Sequence, residues 1–210
     1  MRAARWLIAV VIVASICGLF PLFHVVTMKM ATAEKVAATF NATEFAETFW
    51  TNQLLVSLDK TVKAETLLSA IQSDATAAKK KFSKNVGWSE NYFYFLHGEG
   101  KIISVSDEEI SLTVTENSTN AEIVLETGLV FGNALRDGTG LLNASDYPNS
   151  QDFNDISAAL NHIVETRVLP KLREQAKVGA KISFAGCAEV DDESTDLKPL
   201  KIIPIQTKAE

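Results

Sequence analysis

Hydrophobic and polar positions divide the chain into three stretches of different period. From Trp6 to Met28 (WLIAVVIVASICGLFPLFHVVTM) no Asp, Glu, Lys or Arg interrupts the apolar run, and a helix needs roughly 20 such residues to cross a bilayer. Arg2 and Arg5 precede the run and the first acidic residue is Glu34, so the positive-inside bias places the N-terminus in the cytoplasm and exports the rest. Between Thr32 and Asn85 there is neither Gly nor Pro, and Ala, Glu, Lys and Leu dominate, which favours helices. Asn41 followed by Glu44 has the spacing of a capping pair, after which Phe45, Phe49, Leu54 or Leu55, and Leu58 recur at helical intervals. Leu67, Leu68, Ile71, Ala75 and Ala78 form a second stripe that runs into Lys79, Lys80 and Lys81, cations suited to a helix C-terminus.

After Gly87 the period shortens toward two. YFYFL is an aromatic strand, Gly98 and Gly100 predict a turn carrying His97, and KIISVSDEEISLTV (101–114) alternates around a polar turn as a hairpin does. AEIVLET supplies a third strand, GLVFGNAL is the candidate for a fourth, and 180–190 and 200–207 supply two more. A helix of about 150–178 intervenes, with Asn149 as N-cap and Ile156, Leu160, Ile163 or Val164, and Leu172 inward; Pro170 divides it and Gly179 ends it. Three strands, a helix and two strands is the order of the oligonucleotide/oligosaccharide-binding (OB) type of small Greek-key barrel. The expected architecture is thus α+β: an N-terminal membrane helix (1–31), a helical module (32–91) and an OB-like Greek-key β-barrel (92–210) with an inserted helix.

Composition narrows the chemistry. Twenty Lys and Arg face 26 Asp and Glu, and three of the basic residues precede residue 30, so the exported part is acidic and unsuited to nucleic acid. Cys187 is the sole cysteine beyond Cys17. An internal disulfide in the exported part is therefore excluded, and no Cys/His cluster offers a zinc site. No cofactor is called for. Cys17, in Ala14-Ser15-Ile16-Cys17-Gly18, has the setting of a lipidation site except that Ile16 replaces a small residue; Ala31-Thr32-Ala33 suits a signal peptidase. The run exceeds the 7–15 residues of a cleavable signal, which favours an uncleaved membrane anchor.

The chain lacks a nucleophile elbow, an H-E-x-x-H helix and a Gly-rich phosphate loop. Carboxylate pairs that could hydrolyse a glycoside are a weaker reading, because any acidic chain contains such pairs. The densest polar stretch is 130–161, in which Asn133, Arg136, Asp137, Tyr147 and Asn149 form a candidate ligand-binding or partner-binding set at the barrel edge. An Arg fork, a carboxylate, amides and a Tyr ring suit a small polar ligand. On the alternative reading, Arg136 and Asp137 pair to hold a long loop, Gly138 and Gly140 permit its turn, and Asn149 caps the helix.

On the FW at 49–50, LLSAI at 67–71, YFYFLHGEGKI at 92–102, GLVFGNALRDGTG at 128–140, DYPN at 146–149, ISAALN at 156–161 and the LKIIPI ending, the chain resembles a family of predicted bacterial periplasmic lipoproteins, domain of unknown function twenty-two ninety-one. The resemblance implies a membrane or lipid attachment, a helical part followed by an OB-like barrel, and association with sugar ABC-transporter genes; it carries over no catalytic residue. The expected function is that of a periplasm-facing, inner-membrane-attached, non-enzymatic accessory protein that binds a small polar ligand or a membrane partner such as a sugar ABC transporter. The rival expectation is a structural or assembly factor with no small-molecule site.

Overall fold

A computed structural model describes residues 40–85, 90–115, 118–147 and 149–209. The expected membrane segment at 6–28 and Cys17 lie outside the described residues. Among those described, no helix is long and apolar enough to cross a membrane.

Residues 41–210 form one compact unit. Its first helix, α1 (Ala42–Phe49), starts where Asn41 accepts a hydrogen bond from the Glu44 backbone N–H at 3.1 Å, and it buries Ala46 and Phe49. A π turn (Trp50–Leu54) and a 3-10 segment (Leu55–Lys60) carry the chain into a two-residue strand, β1 (Val62–Lys63). The second apolar stripe is two helices, α2 (Ala64–Ser73) and α3 (Ala75–Phe82). Asp74, extended at φ −158°, ends the first and caps the second by accepting from the Ala77 N–H. Of the lysines on the last turn of α3, Lys79 does more than oppose the dipole: it pairs with Glu193 at 3.1 Å and lies 4.0 Å over the Tyr92 ring.

The strands are β2 (Tyr92–Val105), β3 (Glu109–Thr113), β4 (Ile123–Glu126), β5 (Lys181–Val190) and β6 (Leu200–Ala209). Their order is β2-β3-β4-β6-β5, and pairing of β5 back to β2 closes the barrel. The β4–β6 pair is parallel and the others in the ring are antiparallel. This is the expected three strands, helix, two strands. The inserted helix is α5 (Ser150–Ile163), a π turn (Val164–Val168) and α6 (Leu169–Gln175), with Pro170 in the first turn of α6, where its missing N–H costs nothing. α5 packs on α1, while the π turn and α6 pack on β6. Phe49, Leu54 and Leu67 of the N-terminal helical segments belong to the same core as Leu112, Leu125 and Ile202 of the barrel.

Two expectations are corrected. The Gly-flanked turn at His97 is the middle of β2, a single strand of 14 residues. Residues 92–101 pair with β5 and 101–105 with β3, so one coiled strand serves two neighbours. Gly98 and Gly100 permit this where a Cβ would come within 2.8 Å of the Ala64 Cβ and 3.1 Å of the Leu112 Cβ. GLVFGNAL is not a fourth strand. Val130 donates its N–H to Glu165 of the π turn at 2.9 Å rather than to a ladder, Gly132 adopts φ +81°, and a short helix, α4 (Ala134–Asp137), follows.

Gly186 sits at the bulge between β5 and β6, where a Cβ would lie 2.4 Å from the Ile203 carbonyl oxygen. A backbone carbonyl fixed in a ladder cannot move aside. Gly186→Ala is expected to lower stability by about 3 kcal/mol, measured by urea denaturation. Gly128→Ala, which meets only the Glu108 residue at 3.5 Å or more, is the control and is expected to change stability little.

Candidate functional site

The 130–161 stretch folds around a buried ion pair. Arg136 is 6% exposed and Asp137 4%. The guanidinium grips the carboxylate with both prongs, Nε to Oδ1 at 2.7 Å and an Nη to Oδ2 at 2.8 Å. Its remaining Nη donates to the Phe153 carbonyl at 3.2 Å and to Asn154 Oδ1 at 3.4 Å, and its plane lies 3.8 Å over the Phe153 ring. Every nitrogen of the fork is engaged by α5 or by Asp137. α4 can lie this close to β5 because Gly138 has no side chain: a Cβ there would meet Cys187 Sγ at 2.8 Å.

The other members of the set serve the same loop. Asn133 accepts from Ser157 Oγ at 2.9 Å, Tyr147 packs edge-on against Phe45 and beside Phe153, and Asn149 caps α5 by accepting from the Asp152 N–H at 2.7 Å. Phe153 thus brings Arg136 and Tyr147 together, and none of the five side chains lines the cleft on the other side of the loop, although the Asn133 backbone N–H donates to Glu189 within it.

That cleft, of about 600 Å³, is a candidate site that the sequence did not reveal. It opens over β4, β6 and β5 beside the β2–β3 turn, and its lining carries Glu108, Glu109, Glu126, Glu189, Asp191 and Asp196 against one cation, Lys201. Leu129 and Phe131, three-quarters exposed, stand on its rim in the segment that a fourth strand was expected to occupy. The acids come from the ends of β3, β4 and β5 and the loops beside them, so the fold, not proximity in sequence, assembles them. The visible signal was a carboxylate at strand end after strand end.

Electrostatics are strained at this point. Glu109 and Glu126 are directly opposed across the β3–β4 ladder, a like-charge pairing that disfavours the sheet. Lys201 relieves part of it by pairing with Glu109 at 3.1 Å, which raises the ammonium pKa. Burial raises the Glu126 carboxyl above the usual range, with Lys201 offsetting part of the effect. Burial also raises Glu189, although Asn91 donates to it at 3.4 Å. Asp196 goes the other way, held low by the backbone N–H of Asp192 and also accepting from that of Asp191. Cys187 touches the floor, but complete burial pushes its thiol far up and leaves it unreactive. Among the described residues no group of His, Cys, Asp and Glu is arranged to hold a metal.

Residues 7–208 match the family described as predicted periplasmic lipoprotein (DUF2291), and the chain belongs to it. The fold is similar to that of a crystal structure described as an OB-fold protein from Thermotoga maritima, at 26% identity and TM-score 0.73, covering 82% of this chain and all of the other. No curated protein matches. Membership supports a periplasmic, membrane-associated location.

Removing Arg136 would strand a buried carboxylate. Arg136→Ala is expected to cost about 3 kcal/mol, and Arg136→Lys most of that because an ammonium cannot reproduce the fork; thermal melting checks both. For the cleft, a carboxyl raised by burial stabilises the fold while protonated, and that contribution is lost as pH rises through its raised folded pKa. Glu126→Gln is therefore expected to raise the melting temperature at neutral pH, with the gain disappearing below about pH 4, where the unfolded chain also protonates.

Proposed function

We propose that this member of the predicted periplasmic lipoprotein family is a membrane-attached accessory protein, facing the periplasm, that captures a small hydrogen-bond-donating molecule in the acidic cleft. The observation that carries the proposal is the directly opposed Glu109–Glu126 pair beside the half-buried Glu189. Concentrating carboxylates at the cost of local stability is expected where a ligand supplies the missing donors. Carboxylates that accept and an exposed Phe131 ring that stacks suit either a hydroxyl-rich molecule such as a sugar or an amine. An anionic ligand would meet six carboxylates and one ammonium.

The role of Arg136, Asp137, Asn133, Tyr147 and Asn149 in this reading is indirect. They hold the loop that presents Phe131, Gly132 and Ala134 to the cleft. The apolar rim formed by Leu129 and Phe131 also suits a protein partner, and a sugar ABC transporter is the partner proposed for a protein that delivers or senses a sugar at the membrane.

Calorimetric titration of the full chain in detergent with a neutral sugar panel, a diamine panel and a dicarboxylate panel tests the proposal. One of the first two classes is expected to bind, and Phe131→Ala and Glu126→Gln are each expected to weaken it about tenfold without loss of fold. Binding of none of the three classes, or of dicarboxylates as tightly as the others, would overturn it.

A further inference from the structure

A second cleft, of about 720 Å³, lies on another face of the barrel, and its floor and walls follow from strand register. His97 is paired across β5 with Ala185, and Ala185 across β6 with Gln206. Two residues along, Glu99 is paired with Ser183 and Ser183 with Lys208. Side chains alternate along a strand, so these two rows share one face. The central strand offers Ala185 and Ser183, both small, between long polar side chains on either side. The result is a trough between walls two strand spacings apart, roughly 10 Å.

At the level of Ser183 the walls carry opposite charges, and the lining also holds the exposed Lys63 and Glu65 at the β1 end. Glu99 stands on β2 and Lys208 on β6, both exposed, with Ser183 between them. Among the described residues no ion pair joins the two. One row along, Lys63 of β1 continues the His97–Ala185–Gln206 row, and His97 is fixed by a 2.7 Å hydrogen bond between its Nδ1 and Thr61 Oγ1. Leu58 and Ala64 close one side. Gly98 lets Ala64 approach that close, since a Cβ on Gly98 would lie 2.8 Å from the Ala64 Cβ.

We propose that this trough binds a small zwitterion, with its ammonium toward Glu99 and its carboxylate toward Lys208. A purely cationic or anionic molecule would leave either Lys208 or Glu99 unmatched. A zwitterion long enough to span the trough satisfies both, and the small floor residues leave room for the methylenes between its ends. The site shares no lining residue with the acidic cleft.

The probes are 4-aminobutyrate and 6-aminohexanoate, with butylamine and butyrate as single-charge controls, titrated into the full chain in detergent and followed by calorimetry and by backbone amide shifts. At least one zwitterion is expected to bind and to shift the amides of Ser183 and Ala185, while the controls do not. Glu99→Gln and Lys208→Gln, both at exposed positions, are each expected to weaken binding about tenfold, the effect of losing one charge-assisted hydrogen bond. Exchanging the charges, Glu99→Lys together with Lys208→Glu, is expected to restore most of the affinity with the ligand reversed. Absence of any zwitterion-induced shift of the Ser183 and Ala185 amides, equal shifts there from a single-charge control, or shifts unchanged in both single variants would overturn the proposal.

Discussion

Everything in this molecule depends on the ladder that closes the barrel. Ten consecutive residue pairs, from Tyr92 opposite Val190 to Lys101 opposite Lys181, join the first barrel strand to the fourth, and with them the sheet has no free edge along that length. Closure of so small a ring demands strong coiling and close approach. The positions that bear the demand are glycines: Gly98 and Gly100 on one strand, Gly186 on the other, each set against atoms that a Cβ would strike. The same ladder fixes which residues face out together. Lys63, Glu99 and Lys208 share a wall system because of register, though they are far apart in sequence.

The loop after the third barrel strand is the second constraint. A closed barrel leaves no place for GLVFGNAL in the ladder, so this segment crosses the outside and must satisfy its own polar groups. It does so through the Glu108 carbonyl, Glu165 and Asn161, which meet the Gly128 N–H, the Val130 N–H and the Gly132 carbonyl, and its far end is anchored to the inserted helix by the buried Arg136–Asp137 pair on the Phe153 carbonyl and ring. A buried ion pair is weak evidence for net stability but a strong register device, since its geometry tolerates one arrangement. Held there, the loop turns Leu129 and Phe131 to solvent at the edge of a cleft full of carboxylates.

Much of this was legible in the sequence. The capping role of Asn41 and Asn149, the β2–β3 hairpin, and the order of three strands, helix and two strands all follow from local signals of turn chemistry and period. Those signals depend on residues close together in the chain. The central glycines misled because a glycine in a strand and a glycine in a turn have the same local signature, and closure alone distinguishes them. GLVFGNAL was misread for the converse reason, being apolar enough for a strand that the closed ring has no room for. Arg136 and Asp137 stood out as chemistry, and their burial could not be read from their neighbours. The acidic cleft left only a faint trace, a carboxylate near each strand end, because Glu109, Glu126 and Glu189 sit on three different strands and converge only through pairing.

The function proposed above has a sugar or an amine bind in the carboxylate cleft and not at the Arg136 loop. Backbone amide shift mapping of the full chain in detergent, titrated with a small-molecule extract of bacterial periplasm, tests it most directly. Perturbations are expected at Glu109, Glu126, Phe131 and Glu189, apart from any that zwitterions cause at Ser183 and Ala185, with Arg136, Asn149 and Phe153 nearly unmoved. Perturbations centred on Arg136 and Tyr147 with a silent Glu126 would contradict it.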